Sequence, residues 1–223
     1  MLVSPIAMIA AGFTLGLVHA LDADHVMAVS ALSNRKASVL KTIGYCLRWA
    51  MGHGAVLLLI GGLFFGLGFQ LPESLQVFAE ASVGVLLIVI GLFCLIRIRK
   101  QNLQLHIHRH GDVVHTHWHA KEHDTHAPTM VGMLHGLAGS APALALVPVL
   151  SHDISTQGQL GLAAGYLIVF SFGVLLAMGL FGLGLGLMQN KLQTLNARIF
   201  RWSQYFIALA SIVFGGFWLS QSL

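Results

Sequence analysis

Residues 15–32 read LGLVHALDADHVMAVSAL, and the reading of this stretch decides the fold. It is apolar enough to enter a bilayer, yet it carries His19, Asp22, Asp24 and His25 near its middle. An aspartate at the centre of a membrane helix costs about 2.5–3.5 kcal/mol on insertion scales. Two aspartates beside two imidazoles must recover that cost, most simply by binding a cation.

Composition supports a membrane setting. Of 223 residues, 56% are hydrophobic and 9% charged, and the mean hydropathy is +0.79. A soluble domain carries about 25% charged residues, so this chain lacks the groups to clothe a polar surface. It reads as an all-α membrane protein with six spans, near 6–31, 43–69, 76–97, 129–150, 160–188 and 201–221. The pI of 9.4 does not point to nucleic acid, because the basic residues sit between apolar runs. The first Lys or Arg is Arg35, so a basic leader is missing and no cleavable signal peptide is expected. Cys46 and Cys94 both lie in apolar segments and read as buried thiols. The 25 glycines fall largely inside spans, where small residues let helices approach closely. No strand precedes them and no Lys-Ser/Thr follows, which argues against a phosphate loop.

Charge gives an orientation. Arg35, Lys36 and Lys41 follow the first span. Arg97, Arg99, Lys100, Arg109 and Lys121 follow the third, and Lys191, Arg198 and Arg201 follow the fifth. Only Arg48 lies within a span, and the remaining loops carry Glu73, Glu80, His152 and Asp153. The positive-inside rule then puts three loops in the cytoplasm and both termini outside.

The two halves resemble each other. Gly16, His19 and Leu21 recur 116 residues later as Gly132, His135 and Leu137. Tyr45 and Gly52 recur as Tyr166 and Gly173, and Gly91, Phe93 and Leu95 as Gly215, Phe217 and Leu219. Repeats of three spans each are inverted in the membrane, a construction that places transporter sites near the midplane. The expected organisation is a first repeat at 1–98, a loop at 99–128 and a second repeat at 129–223. The loop holds eight of the 13 histidines, at 106, 108, 110, 115, 117, 119, 123 and 126. This His-x-His pattern reads as a cytoplasmic metal-binding loop; a proton-sensing loop is the alternative.

The chemistry concentrates in the first span. On an ideal helix His19, Asp22 and His25 fall at about 0°, 300° and 240°, one face, with Asp24 at about 140° and off it. Imidazole plus carboxylate without thiolate suits Ni(II), Co(II), Zn(II) or Mn(II) and not Cu(I) or an iron–sulfur cluster. In the second span His53 sits between Gly52 and Gly54, with room for an ion or another helix, and is a further candidate ligand. Arg48 is the basic residue within a span that could pair with an aspartate. His135 stands where His19 stands in the first half, but Ala138 and Ser140 replace the aspartates. Trp49, Trp118, Trp202 and Trp218 read as interfacial belt or loop residues. The candidate metal ligands are therefore His19, Asp22, Asp24, His25, His53 and His135.

His19-Ala20-Leu21-Asp22-Ala23-Asp24-His25 resembles the His-x4-Asp-His signature of the nickel/cobalt transporter family, and Arg48-Trp49 with Gly52-His53 resembles that family's next helix. The resemblance implies a nickel or cobalt permease in which His19, Asp24 and His25 recognise the ion. The second half, with His-Gly-Leu-Ala-Gly-Ser, looks like the shorter urease-accessory branch. Signature and ideal helix disagree over Asp22 and Asp24, and local unwinding near 21–23 would reconcile them.

The expectation is uptake of Ni(II), with Co(II) as a second cargo, through a multi-pass protein of the cytoplasmic membrane. Efflux through the same site is the alternative. The expected partners are the divalent ion, the lipid bilayer and cytoplasmic nickel chaperones, with no nucleic acid and no resident cofactor beyond the cargo. An enzyme is not expected: a metalloprotease would need His-Glu-x-x-His, and a thiol–disulfide carrier would need paired cysteines in spans one and four. Export of a small anion would need a positive site, which the aspartates oppose.

Overall fold

The computed structural model describes residues 5–33, 38–67, 72–104, 126–139 and 156–222. Among them every regular element is a helix: α1 (Pro5–His19), α2 (Ala23–Leu32), α3 (Val39–Leu67), α4 (Glu73–Gln104), α5 (Ala127–Ala138), α6 (Thr156–Leu195) and α7 (Ala197–Ser222). The histidine loop from 105 to 125, with its seven histidines ahead of His126, lies outside the described residues, as do Trp118, His152 and Asp153.

Among the described residues, four helices contain apolar stretches long enough to cross a bilayer, at Val39–Phe64, Glu73–Lys100, Gly161–Leu195 and Ala197–Ser222. A fifth crossing is formed if α1 and α2 act as one broken span, bent by 54°. The chain is thus a multi-pass membrane protein. Large apolar side chains cover its outside, among them Phe78, Leu180, Phe206 and Val213, as a lipid solvent requires. The span expected at 129–150 is described only through Gly139. α4 and α6 overrun their expected limits furthest. α4 continues past 98 to Gln104, and α6 runs for 40 residues, about 60 Å at 1.5 Å per residue. That is about twice the 30 Å hydrocarbon thickness, so α6 extends well beyond it.

The helices pair in a regular way. α3 lies along α6 and α4 along α7, while α1 packs on α6 and α5 packs on α3. Glycine makes these crossings possible. A Cβ at Gly16 would sit 2.2 Å from the Phe170 carbonyl oxygen, and one at Gly132 would sit 2.0 Å from that of Trp49. A Cβ at Gly52 would meet the Thr129 oxygen at 2.2 Å, and one at Gly173 the Phe13 oxygen at 2.6 Å. Positions 16 and 132, and 13 and 129, stand 116 apart; 49 and 170, and 52 and 173, stand 121 apart. These four contacts between the halves therefore form two matched pairs. On the α4–α7 face, Gly84 approaches the Gly215 carbonyl and Gly91 that of Ala208, and Ser211 Oγ donates to the Leu87 carbonyl at 2.8 Å.

The break between α1 and α2 organises the interior. Leu21 N–H bonds to Val18 O and Asp22 N–H to His19 O, tightening the last turn. Asp22 then adopts φ −58° and ψ 145°, which ends one helix, and Val26 N–H bonding to Asp22 O starts the next. The unwinding expected near 21–23 is present. α1 packs on α6, whereas α2 turns away to pack on α7 and α4.

Candidate metal centre

The break, α3 and α5 bring the six candidate residues into one pocket. His19 ends α1, Asp22 lies in the break, and Asp24 and His25 open α2. His53 comes from α3 and His135 from α5. His25, His53 and His135 are each no more than 1% exposed and Asp24 is 8% exposed. The imidazole rings of His19 and His25 are 4.6 Å apart by centroid, His25 and His53 5.2 Å, His19 and His53 5.4 Å, and His25 and His135 5.5 Å.

Hydrogen bonding assigns the ring nitrogens. His25 Nδ1 lies 2.8 Å from the His19 carbonyl oxygen, and His135 Nδ1 lies 2.9 Å from that of Val131. A carbonyl can only accept, so both Nδ1 atoms carry the proton and both Nε2 atoms present a lone pair. His19 Nδ1 lies 2.8 Å from Asp22 Oδ2, which fixes its tautomer in the same way when the carboxylate is ionised. An imidazole tied through one nitrogen to a carbonyl or carboxylate, with the other nitrogen turned inward, is the usual second-sphere arrangement of metal-binding histidine. Among the described residues, His19 Nε2, His135 Nε2 and both nitrogens of His53 are buried without a hydrogen-bond partner. Leaving a buried polar atom unpaired costs about 1–3 kcal/mol. A cation can meet these lone pairs together.

The aspartates take different roles. Asp22 occupies the N-cap position of α2 but makes no side-chain cap bond; its carboxylate serves His19 instead. Asp24 Oδ2 lies 3.6 Å from His25 Nε2. The off-face position given to Asp24 by an ideal helix is therefore corrected: the break turns α2 and brings Asp24 to the imidazoles. The sequence signature had selected the same residue. Asp24 also lies in the first turn of α2, where the helix dipole favours an anion. The opposite pole faces the pocket from two sides. α1 ends at His19 and α5 at Ala138, and a Cβ at Gly139 would stand 3.3 Å from His19 Nε2. Helix C-termini favour cations. Arg48 is exposed, with its guanidinium 5.8 Å from the centre of the Tyr45 ring.

Two aromatic residues close the pocket, and the sequence reading had missed both. Trp49 is fully buried, not at a membrane interface. Its indole stacks on His53 at 5.1 Å and meets His25 at 4.8 Å and His135 at 5.5 Å. The i, i+4 spacing of Trp49 and His53 on α3 was the available signal. Phe170, which the 121-residue offset pairs with Trp49, lies 5.4 Å from His19. The cysteines are elsewhere. Cys46 on α3 and Cys94 on α4 are buried and form no disulfide, and the Cys94 thiol donates to Ala31 O.

Known proteins add to this picture. The chain is 27% identical over 213 residues to the urease accessory protein UreH of Bacillus sp. (strain TB-90), a match covering 94% of this chain and 89% of the relative. The resemblance of the second half to the urease-accessory branch, beside the nickel/cobalt transporter signature at residues 19–25, is thus met by a relative named as a urease accessory protein along nearly the whole length. No solved structure matches. The family described as cytochrome c biogenesis protein transmembrane region matches residues 7–216, and with nearly all of its length inside that match the chain belongs to this family.

Proposed function

We propose that the protein carries a divalent transition-metal ion, Ni(II) first and Co(II) second, across the cytoplasmic membrane. The observation that carries this reading is the cluster of four imidazoles beside Asp24, in which Nδ1 of His19, His25 and His135 is tied back while Nε2 of His19 and His135 and both nitrogens of His53 are left without a hydrogen-bond partner. Nitrogen with carboxylate oxygen suits these metals. A binding site at a helix break, faced by helix C-termini, is the arrangement by which transporters hold a cation within the bilayer. The name of the urease accessory relative fits the nickel permease branch that the signature resembles.

The matched glycine contacts support a reading of the chain as two inverted three-helix repeats of six spans in all, with both termini outside and the histidine loop in the cytoplasm. In that arrangement the membrane potential drives uptake, at about 2.3 kcal/mol per charge per 100 mV. The loop histidines and cytoplasmic nickel chaperones receive the ion. Thiol redox chemistry has no support from the cysteines, which lie on α3 and α4 away from the pocket.

Nickel and cobalt content of cells expressing the wild-type chain or Asp24→Asn tests the proposal. Lower content in the variant is the expected result and marks uptake. Higher content would reassign the direction to efflux, and equal content would end the transport reading.

A further inference from the structure

The pocket contains two triads with one member in common. Candidate ligand atoms of His19, His25 and His53 lie within 4.8 Å of one another, and so do those of Asp22, Asp24 and His25. His25 Nδ1 is committed to the His19 carbonyl, leaving Nε2 as its single lone pair, and Nε2 is the atom 3.6 Å from Asp24. One lone pair on a neutral imidazole binds one ion. The triads also differ in surroundings. Each has two buried members, but the third differs: Asp22 is half exposed at the helix break, where in a membrane protein an exposed carboxylate faces water, whereas the His19 side chain is 18% exposed.

We propose that these are two successive stations for a single ion, an oxygen-rich entry station at Asp22, Asp24 and His25 and a nitrogen-rich inner station at His19, His25 and His53, with His25 Nε2 as the shared ligand. This deepens the transport reading above and rests on it. The stations cannot be filled together, because each needs the same lone pair. An ion enters with part of its water shell on the carboxylates and is drawn inward while His25 keeps hold of it. His135, whose Nε2 also lacks a hydrogen-bond partner, lies 5.5 Å from His25 by ring centroid, within reach of an ion held there. The order of stations makes a filter. Mg(II) and Ca(II) prefer oxygen and retain water or need many oxygen ligands, so they stop at the carboxylates. Ni(II) and Co(II) accept imidazole and pass.

Crystals of the full chain soaked in Ni(II) and read by anomalous scattering at the nickel edge test this. The wild type should show one peak in the pocket at saturating metal. Asp22→Asn with Asp24→Asn should keep the peak at the imidazoles; asparagine at 22 still accepts from His19 Nδ1. His53→Gln should shift the peak to the carboxylates. Asp24→Asn alone and His19→Gln alone make the same two forecasts should a variant fail to fold, and the density itself reports the fold. Mn(II) should occupy the carboxylate station in the wild type. Two simultaneous nickel peaks within the pocket would overturn the proposal. So would loss of the peak in both the carboxylate and the imidazole variants while the wild type keeps it, since that marks one indivisible site. A wild type with no pocket peak at all would sink the transport reading itself.

Discussion

Around Gly16 and around Gly132 the backbone does the same thing. Each glycine lets its helix touch a carbonyl of a neighbouring helix, Phe170 in one case and Trp49 in the other. Each is followed three residues later by a histidine, His19 or His135, and each helix ends soon after, at His19 or at Ala138. Then the halves part. The first supplies Asp22 and Asp24 where the second supplies Ala138 and Ser140. Packing has stayed matched while charge has not, because the two obey different constraints. A Cβ at either glycine would collide with the facing carbonyl, so neither position tolerates a side chain. Carboxylates, in contrast, are expensive in lipid, and one set is enough to balance the divalent ion proposed as cargo. The pocket therefore draws imidazole from both halves and negative charge from one.

This contrast can be broken or sharpened by substitution. Asp24→Asn and His25→Gln should reduce nickel accumulation by more than the roughly 100-fold that outer-sphere partners reach, whereas His135→Gln in the second half should cost about tenfold. Equal losses would mean that the halves contribute alike. Next, Gly16→Ala and Gly132→Ala should each lower stability by about 1–3 kcal/mol through overpacking, read as similar falls in the thermal unfolding midpoint of the detergent-solubilised protein. A large difference between them would show that the scaffold is not matched after all. Asp22→Ala removes the acceptor of His19 Nδ1 and should raise the apparent KM for nickel uptake about tenfold, with Asp22→Asn recovering the part that rests on holding His19. The smallest effect belongs to the third helix of each half. Ser211→Ala deletes the bond to Leu87 O and should cost about 0.6 kcal/mol, the average for such bonds in membrane bundles.

Much of the site was legible because its residues are nearly contiguous. His19 to His25 carry chemistry that lipid does not tolerate without a purpose, and His53 stood out between two glycines. The position of Asp24 was not legible from periodicity, because Leu21, Asp22 and Ala23 contain neither glycine nor proline, and the break was signalled only by the conflict with the signature and by Asp22, a residue type favoured at an N-cap. The break comes from the surroundings: α1 is held on α6 while α2 is held on α7 and α4. Trp49 was misread because tryptophan in a membrane segment favours the interface, and only its spacing to His53 told against that. The far end of α6 was cut short at 188 because polar residues begin there, yet Gln189 to Leu195 remain helical. Polarity marks where lipid ends, not where a helix does.

Trp49 has an optical consequence. Its indole is stacked on one imidazole of the pocket and touches two more, while Trp202 is 70% exposed at the far end of the sequence. Ni(II) and Co(II) have partly filled d shells and quench nearby indole emission. The protein thus carries its own fluorophore at the pocket, and the arrival of a metal ion should darken the buried, blue-shifted part of its emission while leaving the exposed part bright.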